Sequence, residues 1–229
     1  MGTSASGSVF SAPNLTGPVI DELSLLNDNT KNILTRSLQQ LQKEHGIQLQ
    51  VYIAKSLQEE TIETAAIKLF DEWKLGDEKT DKGILFLIAP NEKRLRIEVG
   101  QGLEGDIPDV IAKRIISDEV KPFFQQGDFN SGIIQGVLSI QRYLGVKSNL
   151  DSELKQVQIQ TEPQKKKPLN AIFIFIVIGI WLLLFMFNPS LALYLLFSIL
   201  RGGGGGGGGG DSWSGRGGKS SGGGASGGW

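Results

Sequence analysis

The chain contains no cysteine, which excludes disulfides, thiol nucleophiles and thiolate-bound zinc. It has one histidine, His45, and that residue precedes Gly46 where a helix is expected to end. A basic residue beside a glycine cap is a common way to close a helix. A histidine-based triad and a multi-histidine metal site are therefore both excluded. Charge of either sign is missing from residues 169–200, a run of 32, and a globular surface does not tolerate such a run. Clustered basic residues are scarce as well. The formal charge of -1 conceals a split: residues 14–146 carry 15 Lys and Arg against 20 Asp and Glu, and residues 147–229 carry 8 against 4. An acidic domain is a poor partner for phosphate backbones, so nucleic acid is excluded.

What is present divides 229 residues into five parts. Residues 1–13 are small and polar with no cationic or apolar signal-peptide region, as in a leader or tag. Residues 14–146 carry the periodicities of a folded domain. Residues 147–168 form a polar linker ending in Lys165, Lys166, Lys167 and Pro168. Residues 169–200 suit a membrane, since a bilayer core takes about 20 helical residues. The stretch 169–187 supplies one span before Asn188 and Pro189; the remainder either extends it as a kinked helix or forms a short return segment. Residues 201–229 open with nine consecutive glycines after Arg201 and read as a flexible tail without a core. Trp213 and Trp229 within it are candidate interfacial anchors.

Inside residues 14–146 the pattern is α/β. Asp28 or Asn29 is expected to cap a helix over 30–45, with Ile33, Leu34, Leu38 and Leu41 on its apolar side. Residues 47–54 alternate as a strand. A second amphipathic helix covers 61–75 and stops at Gly76. Residues 84–89 are continuously apolar, as in a strand covered on both faces. Residues 94–99 alternate, with Leu95, Ile97 and Val99 inward and Arg94, Arg96 and Glu98 on a solvated side. A helix over 107–119, with Asp106 as its cap and Pro108 in its first turn, should break at residues 120–122, and residues 122–126 are expected to form a short second piece. A last helix, capped by Asn130 or Ser131, runs to Leu144. The strand–helix–strand order predicts a parallel pair, then an antiparallel neighbour. The expected fold is a three-layer α/β/α sandwich around a small mixed sheet, followed by the transmembrane segment and the glycine-rich tail.

The chemistry gathers at residues 81–109. Gly100, Gly102 and Gly105 match G-x-G-x-x-G, but the motif follows a hairpin and is ringed by carboxylates that would repel a phosphate. Nucleotide binding is excluded, and these glycines serve tight turning or close backbone approach. Antiparallel pairing of the two central strands would bring Asp81, Glu104, Asp106 and Asp109 to one sheet edge. Such an oxygen-rich cluster suits a divalent cation, Ca²⁺ more than Mg²⁺. The plainer reading is a helix cap at Asp106 and solvated carboxylates elsewhere.

Several segments together carry a family likeness. Asp21 after a Gly-Pro turn, DKGILFLIAP, RLRIEVGQGLEG, the IPD helix start and GDFNSGI resemble the TPM domain family over residues 15–144. The apolar block and the ending GGGASGGW are similar to its YgcG-like membrane branch. The resemblance implies an α/β/α sandwich held outside the cytoplasm, in the periplasm or beyond, after a signal peptide has been removed. It implies divalent-cation binding in some members, at positions that correspond to Asp81, Glu104, Asp106 and Asp109. It also implies acid-phosphatase activity in a plant branch. No catalytic constellation is evident in the residues themselves. The expected function is a membrane-anchored, divalent-cation-binding interaction or accessory module of the cell envelope, with the lipid bilayer and a protein partner, or a second copy, as its contacts. A metal-assisted acid phosphatase using Asp81 or Asp106 is the alternative, and a self-assembling structural membrane protein is a third reading.

Overall fold

The computed structural model describes residues 10–146, 150 and 213–229. Most of the polar leader, the linker after residue 150, the apolar block 169–200 and the glycine run lie outside the described residues. Among the described residues no helix is long and apolar enough to cross a membrane. The described residues belong to one unit, drawn from both ends of the chain.

A mixed sheet of five strands forms its centre, in the order β1 (Val19–Asp21), β2 (Gln48–Ile53), β3 (Gly83–Ala89), β4 (Arg94–Gly100) and β5 (Ser220–Gly228). The first three are parallel, and β4 is antiparallel to β3. Apart from β1, which the sequence did not mark, that much follows the strand–helix–strand order. The fifth strand does not. It comes from the glycine-rich tail expected to be without a core, and it pairs antiparallel to β4. Backbone pairing needs no side chains, so a composition too poor to build a core can still complete a sheet.

Helix α1 (Asp28–His45) begins two residues before the expected start, with its cap one or two residues before those expected. Asn27 is the cap, and its Oδ1 accepts the amide of Thr30 at 2.8 Å. At the far end Gly46 adopts φ 67° and its amide donates to the Gln42 carbonyl, so His45 closes the helix as expected. Helix α2 (Ile62–Trp73) is capped by Thr61, whose hydroxyl accepts from Thr64 at 3.2 Å. The segment after β4 departs more from expectation. Helix α3 (Asp109–Arg114) starts after Pro108, which takes the cap position in place of Asp106. It widens into a π-helical turn (Ile115–Val120) that leads into α4 (Lys121–Gln125). Pro122 therefore opens the short second helical piece that the sequence indicated. A proline is tolerated in a first turn, where its missing N–H has no partner to lose. Helix α5 (Phe129–Tyr143) is capped by Asp128. Asn130 instead ties α5 to the start of α1, accepting from the Asn27 amide at 3.1 Å.

The pleat sorts β3 between two cores. Leu85, Leu87 and Ala89 join Tyr52 and the α2 residues Ala66, Leu69 and Phe70 in one cluster. Phe86 points the other way, against α5, where a Cβ on Gly136 would come within 2.8 Å of its ring. Helix α1 lies with α5, and Gln141 donates to Ser37 at 3.1 Å. A strand read by both layers must be apolar throughout, which is why β3 is. Phe86→Ala should cost about 3–5 kcal/mol by leaving a cavity. The measurement is urea unfolding, where the midpoint falls and the slope stays constant.

Candidate functional site

Because β3 and β4 are antiparallel, Ile84 lies opposite Val99. The loop entering β3 therefore meets the turn leaving β4. The amide of Gly102 donates to the Asp81 carbonyl at 3.3 Å. A Cβ on Gly100 would overlap that same oxygen, and one on Gly102 would overlap the Thr80 carbonyl oxygen. These glycines serve close backbone approach, as the sequence indicated.

The tail lies across this corner. Trp213 is buried, and its indole N–H donates to Gln50 Oε1 at 2.8 Å. The chain then follows the end of α2: the backbone amide of Arg216 donates to the Gly76 carbonyl at 2.9 Å, and that of Gly217 to the Lys74 carbonyl at 3.1 Å. From Ser220 to Gly228 it pairs with β4, with a register shift between Val99 and Gly100. Trp229 ends the strand with its ring 4.8 Å from that of Phe124. In this structure neither tryptophan is free as an interfacial anchor, since each is spent on the domain.

Three of the four carboxylates singled out in the sequence hold this tail. Asp81 Oδ1 accepts the Lys219 amide at 2.8 Å, and Asp109 Oδ1 accepts the Gly224 amide at 2.7 Å. The carboxylate of Glu104 accepts the Ser221 hydroxyl. Asp106 is exposed, and its backbone amide closes a turn onto Leu103 at 3.0 Å. Asp81, Glu104 and Asp109 are thus brought to one edge, but as acceptors along a peptide. Among the described residues no group of three or more His, Asp or Glu could hold a metal ion. In this arrangement the three carboxylates serve as acceptors for a strand.

The residues that sequence reasoning missed are Arg96 and Glu98. Their alternation predicted a solvated face, yet Arg96 is 6% exposed and Glu98 is 0% exposed. Helix α2 lies over this face, where Arg94 reaches Glu63 at 3.4 Å, and β5 closes its side. The Arg96 Nε donates to Glu98 Oε2 at 2.6 Å. Its two Nη atoms donate outward to the tail, one to the Ser226 hydroxyl at 3.0 Å and one to the Gly222 carbonyl at 3.2 Å. Ser220 donates its hydroxyl to the remaining Glu98 oxygen. A buried ion pair is tolerable only when its spare donors and acceptors are also satisfied, and here the tail satisfies them. One signal was legible: opposite charges two residues apart on a strand share a face and can pair.

A family model described as the TPM domain matches residues 19–143. Among solved structures, the N-terminal domain of a protein from P. gingivalis is similar at 32% identity with a TM-score of 0.54. That alignment covers 58% of this chain and 88% of the other. The N-terminal domain of a Corynebacterium glutamicum protein aligns at 12% identity and TM-score 0.44, covering 57% and 81% of the two chains. A protein from the psychrophilic bacterium Bizionia argentinensis aligns at 21% identity and TM-score 0.45, covering 53% and 85%. No curated protein matches the chain. The family match stops before β5.

Burial pushes the Glu98 carboxyl above the usual carboxylate range, against the opposing pull of the Ser220 hydroxyl and Arg96. An acid whose native pKa is raised contributes stability that is complete below its unfolded pKa and lost as pH rises through the native value. Melting temperature should therefore carry a component that declines across that window as pH rises. Glu98→Gln should remove this component, as followed by thermal unfolding at stepped pH.

Proposed function

The chain belongs to the TPM domain family, and from that premise we propose that it is a membrane-anchored accessory module of the cell envelope. It works by binding an extended peptide segment along the β4 edge and not by catalysis. One observation carries the reading: Asp81, Glu98, Glu104 and Asp109 all accept hydrogen bonds from a single tail segment. Main-chain pairing at a sheet edge supplies affinity, and pockets at its ends supply selectivity. The phosphatase reading uses Asp81 or Asp106 as nucleophile or metal ligand; the Asp81 carboxylate accepts the Lys219 amide, and Asp106 is exposed.

The anchor is the uncharged block 169–200, which is long enough for a bilayer. Placement in the YgcG-like branch, with the domain outside the cytoplasm, belongs to the same proposal. Pairing of β4 with β5 puts both flanks of the block on one side of any membrane it enters. Of the arrangements the sequence left open, the reading therefore takes the one that returns. A divalent cation enters it as a competitor for the carboxylates that hold the tail.

The direct test is peptide binding. A chain stopped after Gly210 should bind a fluorescent peptide of residues 211–229 saturably in detergent, and the full chain should bind it far more weakly. Added peptide should also raise the melting temperature of the shortened chain. A shortened chain that keeps its circular dichroism yet neither binds nor gains stability would end the reading. Calcium titration gives a second check. The shortened chain should bind Ca²⁺ more tightly than the full chain, and the peptide should weaken that binding.

A further inference from the structure

The domain recognises residues 213–229 by what they lack. A Cβ added to Gly215 would overlap the carbonyl oxygen of Trp73, and one on Gly218 would overlap that of Leu75. One on Gly224 would overlap that of Ile97. Each obstacle is backbone of the folded domain, which cannot swing aside as a side-chain end can. Close-packed interiors register even one extra methyl group. The glycines are bracketed by aromatic anchors. Trp213 fixes one end through Gln50, and Trp229 packs edge-on to Phe124 at 4.8 Å and Phe129 at 6.1 Å at the other. The tail thus has a spelling: tryptophan, glycines at set positions, and tryptophan.

We propose that the seat along α2, β4 and α4 is a glycine-reading site, and that between neighbouring copies it takes residues 213–229 of a second copy. The proposal rests on the reading of the β4 edge as a binding face, and it names the partner. The seat meets residues 213–229, which are joined to the rest of the domain by residues 151–212, a connection of 62. Outside the anchor block, residues 151–168 and 201–212 could reach about 100 Å when fully extended, so the connection does not dictate whose seat the tail fills. The contacts made in either copy are the same, as in any exchange of an identical element between protomers. The choice therefore falls to effective concentration, which anchoring copies on one membrane raises.

The absence of native cysteine makes disulfide trapping unambiguous. Ile97 and Ala225 are Cα partners across β4 and β5. Chains carrying Ile97→Cys or Ala225→Cys alone, each with its own tag, are mixed in lipid vesicles and oxidised. The chain carrying both reports closure within one molecule. Arg94→Cys with Gly228→Cys repeats the measurement at the exposed end of the same ladder, should the buried position disturb folding. The expected result is a disulfide joining the two tags, whose yield rises with protein density. Gly215→Ala or Gly218→Ala in the tail donor should lower that yield by about tenfold or more, and Gly205→Ala should leave it unchanged. If the double variant closes within one chain while the mixture gives no cross-tag product, exchange is overturned and the binding face stands. If neither forms at either ladder position, the binding face falls with it. If Gly215→Ala and Gly218→Ala leave the yield unchanged, glycine reading is overturned.

Discussion

A carboxylate with no exposed surface, on a strand that would otherwise edge the sheet, sets the terms for the rest of this molecule. Glu98 and Arg96 lie on the outward flank of the hairpin, and helix α2 alone cannot satisfy them. Their remaining donors and acceptors face the edge. Whatever covers that edge must supply hydroxyls and main-chain groups while adding almost no volume. A segment of serine and glycine meets both demands. The low complexity of residues 220–228 is then a property of a fitted part and not of a spacer.

The same demand explains the corner at Asp81. Gly100 and Gly102 let the two loops meet backbone to backbone, which holds the Asp81 and Glu104 carboxylates along the path of the tail. Had these glycines carried side chains, the loops would separate and the acceptors would lose their line. The π-helical turn at Ile115–Val120 belongs to the same arrangement. Ile116 lies so close to Gly227 that a Cβ there would come within 2.5 Å of its methyl group. Helix geometry and strand composition are thus matched across the β5 surface.

Periodicity made most of the fold legible. The two amphipathic helices, the doubly covered β3 and the parallel–antiparallel order all follow from where apolar residues recur. Caps were displaced by a residue or two, because several Asn, Asp and Ser residues compete at each helix start and only packing chooses among them. The carboxylates were legible as a cluster. Four acids at an edge suggest a cation, and it takes the structure to show that three of them accept amides and a hydroxyl of the tail. The tail was illegible for a physical reason. Hydrophobic patterning reports burial of side chains, and a strand made of glycine has none to report. Its flanking tryptophans were the one local sign that the segment had fixed neighbours. Arg96 and Glu98 misled for the converse reason, since polar alternation marks a solvated face unless another segment arrives to cover it.

The place of β5 in the order of synthesis has a consequence of its own. About 120 residues separate the end of β4 from the start of its partner. Elongation at roughly 5–20 residues per second leaves the β4 edge bare on the ribosome for on the order of ten seconds. A bare edge is a template for any passing strand. Premature termination anywhere before Ser220 would leave that edge without a strand of its own, and the domain would otherwise be largely built. Residues 220–228 thus act as a check on elongation: only a chain extended through them can close its own sheet.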